Sequence, residues 1–482
     1  MTTERNFSPN NRFTIRLELV NKPGVFASVA SLIAKAKADL GAVDIVKVAE
    51  GKIIRDITFD VASQKDVDKI LKGLGKLKNV KVIAVSDRIL LLHLGGKIQV
   101  QNKVPIQTRS QLSMAYTPGV AKVSQVIAKS PEKVYMFTIK SNSVAVVTDG
   151  SAVLGLGNLG PEAALPVMEG KAMIFKEFAN IDAWPICLAT QDVDEIVKTV
   201  QNIAPTFGGI NLEDISAPRC FEIEERLKKT LSIPVMHDDQ HGTAVVILAA
   251  LKNALKVVKK DIKHVRVVVS GLGAAGAACC RILLAAGVEH LFGCNRKGVV
   301  LVVDSTNLDR VRKDLFSCVD PLHPMMTLRE ALHGADVFIG VSGGNILSGD
   351  DLKKMRKNSI VFAMANPDPE VSPHEAFKVC RIFATGRSDF PNQINNALAF
   401  PGIFRGALNV RAREINEEMK IAAADAIANL IHPSQLSDEY IIPGIFDKRV
   451  VDAVTKAVEE AAYETGVVRK QFLKDADGEM RD

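Results

Sequence analysis

The sequence predicts an α/β chain in three parts: a small α+β unit at the N-terminus and two larger α/β domains behind it. Three observations carry that prediction. The first segment alternates strand and helix patterns in the order β-α-β-β-α-β. From about Leu94 the chain sets short Gly- and Asp-containing turns between apolar strands, as α/β enzymes do when loops hold the chemistry. Further on, an apolar β-branched strand, Val265 to Ser270, runs straight into a glycine-rich turn and a helix.

At 482 residues the chain exceeds one ordinary core, and its length suggests about three domains. Hydrophobic residues at 47% and charged residues at 24% are the balance of a folded globular protein. The formal charge of +6 is spread along helical stretches, not gathered in blocks. That excludes a nucleic-acid stripe and suits an anionic ligand. The apolar run from Ala244 to Leu251 is much shorter than the ~20 residues of a spanning helix, so no membrane partner is expected. The N-terminus lacks the apolar core of a signal peptide, and the seven cysteines form no CxxC pair. Reduced, buried thiols and a cytoplasmic location are the expectation.

The N-terminal unit is read element by element. Phe13 to Val20 alternates as a strand and is followed by the turn Asn21-Lys22-Pro23-Gly24. Val25, Val29, Leu32 and Ile33 recur at helical spacing. Val43 to Val48 and Ile53 to Val61 form two strands joined at Glu50-Gly51; Val67, Ile70, Leu71 and Leu74 mark a second helix, and Val80 to Val85 a last strand. With its NKPGVF turn, the segment 13–88 resembles the ACT domain, a ferredoxin-like module that binds amino acids at paired interfaces. The resemblance implies an amino-acid effector held near Asn21 and the Gly24 backbone. The alternative is the same fold used for dimerisation alone.

After Val265 to Ser270 come Gly271, Leu272, Gly273, Ala274, Ala275 and Gly276, then a helix closed by Gly287. A lone GxGxxG is weak, but strand before and helix after is the context a Rossmann-type NAD(P) fingerprint demands. Gly271 permits the tight turn, Gly273 lets the backbone approach a pyrophosphate, and Gly276 lets the helix pack closely. The helix N-terminus offers free N–H donors to phosphate. The next strand, near His290 to Cys294, should end at the ribose-binding residue, which is acidic in most NAD sites. Here it runs into Asn295-Arg296-Lys297. With two cations and no carboxylate there, the sequence leans to NADP over NAD. Ala335 to Val341 and Ile360 to Ala365 are further strands, whose loops face the nicotinamide half.

The acidic loops lie upstream. Glu213-Asp214 follows a strand-like segment, and Asp238-Asp239 precedes a long apolar helix. Each pair alone reads as a helix cap. Converging together they suit a hard divalent cation, Mg²⁺ or Mn²⁺, and no Cys or His cluster has zinc spacing.

The stretch from Thr108 to Gly406 resembles malic enzymes of the compact bacterial type. It carries AYTPGV at Ala115 to Val120, TDGSAVLGLGNLG at Thr148 to Gly160 and PVMEGKA at Pro166 to Ala172. NLEDI at Asn211 to Ile215, HDDQHGTA at His237 to Ala244 and INNALAFPG at Ile394 to Gly402 follow in family order. The resemblance implies L-malate as substrate, Lys171 as general base, Tyr116 as general acid and Asp238 as the charge partner of Lys171. It also implies Glu213, Asp214 and Asp239 as metal ligands, with Asn366, Asn395 and Asn396 holding substrate. One departure matters. Larger members carry an Arg shortly after the TDG turn, where this chain has Ser151-Ala152, and Lys140 is a candidate replacement.

The expected layout is residues 13–88 for the first unit, 95–240 for a substrate and metal domain, and 241–410 for the dinucleotide domain. Amphipathic helices in 411–482 pack back on the catalytic part or form a subunit interface. The expected reaction is oxidative decarboxylation of malate to pyruvate by a homodimer or larger assembly. A malolactic reaction with retained NAD uses the same residues, and a catalytically silent amino-acid sensor is the reading from another class.

Overall fold

The computed structural model describes residues 12–49, 51–315, 318–320 and 325–469. The C-terminal KDADGEMRD stretch and the Glu50 half of the first hairpin turn fall outside those residues. Two compact units are present, divided after Gln99.

In the first unit, β1 (Arg12–Val20), β2 (Asp39–Ala49), β3 (Lys52–Asp60) and β4 (Val80–Asp87) form an antiparallel sheet in the order β2-β3-β1-β4. Phe13, Ile15, Leu17 and Leu19 are buried, because alternate strand residues share one face. The helices Val25–Lys35 and Gln64–Leu74 cover that face with Val29, Ile33, Val67, Ile70 and Leu74. The other face carries cross-strand ion pairs: Arg12–Asp60 at 2.7 Å, Arg16–Asp56 at 2.8 Å and Lys52–Glu18 at 2.7 Å. Apolar on one side and charged on the other, it is an ordinary half-solvated antiparallel sheet. Gly24 enters the first helix at φ +88°, a backbone conformation that side chains with a Cβ rarely adopt.

The second unit contains two sheets. β5 (Ser143–Thr148), β6 (Asp182–Cys187), β7 (Gly209–Leu212) and β8 (Val235–His237) are all parallel, in the order β6-β5-β7-β8. β9 (Arg266–Ser270), β10 (His290–Asn295), β11 (Gly298–Val303), β12 (Val337–Gly340), β13 (Ile360–Ala363) and β14 (Ile382–Thr385) run in the order β11-β10-β9-β12-β13-β14. Only β11 is antiparallel, paired with β10 as a hairpin. The reversal of strand order beside β9 is the switch point where open α/β sheets bind ligands.

One helix, Asp238–Val258, joins the two sheets and is buried along most of its length. By length and composition it could cross a membrane, yet it is the core helix of this unit. Around it a single apolar core unites Val144 and Val146 of β5 with Val267 and Val269 of β9. The helices Glu417–Asn429 and Arg449–Glu464 complete the same core, so the C-terminal segment packs back on the catalytic part. Asn253 secures that packing, donating to the carbonyls of Ala428 at 2.9 Å and Ile441 at 3.0 Å.

Candidate active site

The acidic motifs sit where parallel strands end. Glu213 and Asp214 follow β7, and Asp238 and Asp239 open the core helix directly after β8. Lys171 comes from the helix Pro161–Ala179. Its Nζ lies 2.5 Å from Asp238 Oδ2 and 2.9 Å from Glu213 Oε1, with all three side chains buried. It also stands 4.1 Å from the centroid of the Phe400 ring. Burial works against the ammonium, but the charges of Asp238 and Glu213 outweigh it, and the Lys171 pKa is raised. Asn396 Nδ2 donates to the same Asp238 Oδ2 at 2.5 Å. Gly242 makes room for this cluster, since a Cβ there would lie 1.9 Å from Asp238 Oδ1.

Carboxylate oxygens of Glu213, Asp214 and Asp239 lie within 4.8 Å of one another. Asp214 sits at φ 53°, and its N–H donates to Asp239 Oδ2 at 2.7 Å. The backbone thereby turns its carboxylate inward, and its Oδ2 is buried without a partner. Burial, then the charges of Asp239 and Glu213, push the Asp214 carboxyl up to about 8. Mutually repelling hard-oxygen donors with an unpaired buried oxygen fit a divalent Mg²⁺ or Mn²⁺ ion.

A buried chain behind these residues fixes the start of the core helix. Glu224, on the helix Arg219–Thr230, accepts from the His237 N–H at 3.1 Å and lies 3.0 Å from His241 Nε2. Lys420 Nζ is 3.1 Å from His241 Nδ1 and 2.6 Å from Glu417 Oε1. A lysine donating to Nδ1 assigns the ring proton to Nε2, facing Glu224. Burial pushes the His241 pKa down to about 4, so the ring is neutral.

At the glycine-rich turn each glycine has a distinct reason. Gly271 has φ +100° and a Cβ there would lie 2.6 Å from the Val341 carbonyl, while a Cβ on Gly276 would strike the Gly271 carbonyl at 1.8 Å. Gly273 faces open space, as a backbone awaiting a phosphate should. Gly273 caps the helix Ala274–Ala285, whose first residues are Ala274 and Ala275, and Leu272 lies in the turn before it. At the end of β10, Asn295 Oδ1 accepts from the N–H groups of Lys297 at 2.8 Å and Gly298 at 3.2 Å. Arg296 and Lys297 therefore form the turn of the β10–β11 hairpin, and Asn295, paired with Gly298, closes the strand before it. Asn366, exposed after β13, has its carbonyl beside Gly155 of the TDG loop.

Several predicted site residues stand differently. Tyr116 is 66% exposed, and no hydrogen bond or ring contact among the described residues joins it to Lys171. Asn395 uses its side-chain oxygen to cap the short turn Asn396–Leu398, accepting from the Ala397 N–H at 2.9 Å. Lys140, the candidate replacement for the missing Arg, has its ammonium engaged by backbone. Its buried Nζ donates to the carbonyls of Ala204, Pro205 and Phe207 at 2.9, 3.0 and 2.6 Å. Lys140→Ala should cost roughly 2–3 kcal/mol in a urea melt, through unsatisfied carbonyls, and leave KM for the substrate unchanged. A raised KM would return Lys140 to the substrate. Ser151 has a structural part too: it donates to Asp149 Oδ1 at 2.5 Å and accepts from the Ser216 N–H at 2.9 Å. Sequence reasoning missed Phe400, Glu224, His241 and Lys420. Phe400 and His241 lay inside quoted motifs, and Glu224 and Lys420 carried no spacing signal.

A dinucleotide-type sheet whose strand-end loops adjoin a buried lysine–carboxylate cluster defines a nicotinamide-linked enzyme. Family comparison makes this specific. Residues 95–228 match the malic enzyme N-terminal domain, 240–463 the malic enzyme NAD binding domain, and 10–84 the ACT domain. The NAD-dependent malic enzyme of Geobacillus stearothermophilus is 55% identical over 95% of this chain and 96% of its own. The bifunctional malic/malolactic enzyme of Bacillus subtilis is 54% identical over 78% of this chain and 92% of its own. An NADP-dependent malic enzyme of Rhizobium meliloti is 47% identical over 78% of this chain and 51% of its own. The crystal structure of the Pyrococcus horikoshii malic enzyme superposes with a TM-score of 0.73 at 47% identity, over 80% of this chain and 92% of that one. The chain belongs to the malic enzyme family and carries an ACT domain at its N-terminus. The lean towards NADP gains no support, because both NAD- and NADP-dependent relatives align.

Proposed function

We propose that this chain oxidises and decarboxylates L-malate to pyruvate and CO₂, reducing NAD(P), with Mg²⁺ or Mn²⁺ held by Glu213, Asp214 and Asp239. The observation that carries this reading is Lys171, buried between Asp238 and Glu213 beside that acidic cluster. Lys171 takes the proton of the C2 hydroxyl, and NAD(P) held at the glycine-rich turn would supply the acceptor for the C2 hydride. Asp238 holds the resulting ammonium, and Asn396 keeps Asp238 oriented. Asn366 and Asn395 hold substrate oxygens. A bound divalent ion supplies polarisation of the hydroxyl and ketone, and offsets the carboxylate charge that keeps Lys171 protonated. After the C3–C4 bond breaks, Tyr116 returns a proton to C3.

The test is absorbance of the reduced nicotinamide with L-malate and Mn²⁺, NAD and NADP in separate assays. Metal- and malate-dependent reduction with pyruvate formed supports the reading, and the larger kcat/KM names the cofactor. Lactate without net reduction would replace it with the malolactic reaction, a reading favoured by the Bacillus subtilis relative named for both activities.

Two further parts belong to this proposal. The ACT domain binds an amino acid near Asn21 and Gly24 and regulates turnover. Amino acids that change neither melting temperature nor rate would leave that domain a dimerisation module. The enzyme is a homodimer or larger, because Leu112, Met114, Tyr116, Met136 and Phe137 are all exposed within one stretch of chain. A second copy over that surface would bury Tyr116. Mixing Tyr116→Phe with Lys171→Ala protein is expected to restore activity if Tyr116 serves a partner's site; no restoration would confine it to its own.

A further inference from the structure

Glu370 is a buried carboxylate that no step above uses, and its side chain is fully enclosed. It sits beneath the loops at the carboxyl ends of three strands. One oxygen accepts from the Ser342 N–H at 2.8 Å, just beyond β12. The other accepts from the Ala365 N–H at 3.0 Å, beyond β13 and next to Asn366. Ser342 Oγ in turn lies 3.1 Å from Ser270 Oγ, the last residue of β9 and the threshold of the glycine-rich turn. The Glu370 carbonyl accepts from the Leu347 N–H at 2.9 Å, closing the β12 loop.

The fold makes room for this group. A Cβ on Gly340 would lie 2.4 Å from Glu370 Cδ, so only glycine at that strand end admits the carboxylate. No cation pairs with Glu370 among the described residues, and its partners are neutral N–H and hydroxyl donors. A buried charge is costly unless well hydrogen-bonded, and this one spends its bonds on loop backbone rather than on core packing. Both oxygens are occupied by N–H donors, and an amide in its place would turn an NH₂ group towards one of them.

We infer that Glu370 is a positioning residue, which locks the loops after β9, β12 and β13 together and so sets the floor on which the nicotinamide ring lies. It does not touch the reacting atoms. Its effect passes through the Ser342 and Ala365 backbone to the ring and to Asn366. The inference rests on the dinucleotide site alone and is independent of the substrate.

Glu370→Gln separates this role from general damage when two probes are titrated: the oxidised dinucleotide, and ADP-ribose, which has no nicotinamide. Losing one charge-assisted bond should weaken dinucleotide binding roughly tenfold or more and lower kcat, while ADP-ribose binding changes by less than about twofold. Equal weakening of both probes would make Glu370 merely structural, and unchanged binding of both would leave it idle; either overturns the inference. Should Glu370→Gln fail to fold, Ser342→Ala, which cuts the Ser270 link, must give a smaller change with the same selectivity, and an unselective change overturns the inference. Failure of the unaltered protein to bind ADP-ribose would instead defeat the dinucleotide site itself, and this inference with it.

Discussion

Replacing Lys171 with alanine is expected to remove pyruvate formation, by roughly 10²–10⁴-fold or to background, while dinucleotide binding survives. The separation follows from location. Lys171 belongs to the helix Pro161–Ala179, whereas the glycine-rich turn belongs to the other sheet. Stability must be measured alongside, since the substitution strands Asp238 and Glu213 without their ammonium. Breaking a buried pair in this way costs about 3–5 kcal/mol, so the variant should melt earlier. Asp238→Asn gives a second view, because Lys171 then keeps only Glu213 at 2.9 Å. Turnover should fall there too. Unchanged turnover in folded Lys171→Ala would end the proposed base.

The second large effect concerns the cation. Chelation should abolish activity, and Mn²⁺ should restore it and raise the melting temperature by mass action. Asp214→Asn should abolish both responses. Its effect on the metal-free protein has the opposite sign to most buried substitutions. Asp214 is pushed up to about 8 by burial and by its acidic neighbours, so removing its charge relieves repulsion. The variant without metal should therefore melt no lower than the unaltered protein. A variant that keeps its Mn²⁺-dependent rise in melting temperature would remove Asp214 from the ligand set.

How much of this was legible in advance depended on the range over which each signal acts. Period-two alternation in Phe13 to Val20 placed β1, because strand residues report their own face. The glycines at 271 and 276 were legible because a missing Cβ is demanded locally, by a turn or a close approach, and Gly273 because a phosphate needs open backbone there. The fate of Asn295 was not: the β10–β11 hairpin gave its oxygen two N–H donors from its own turn, and the reading of that turn as a 2′-phosphate clamp gained nothing. Lys140 looked like a free cation for the same reason, since the three carbonyls that hold it lie more than sixty residues along the chain.

By itself the sequence determined the order of the units, the strands with clear alternation, the phosphate-facing turn and the family motifs that list the reacting side chains. Each of these rests on a residue's type and its near neighbours. Only the tertiary structure decided that Lys171, Asp238, Glu213 and Asn396 form one buried cluster, that Tyr116 stands apart from it, and that Glu370 ties three strand ends together. Those facts depend on which backbone groups and charges meet across long separations. Desolvation, which decides how strongly they act, exists only once the core around the Asp238–Val258 helix has closed.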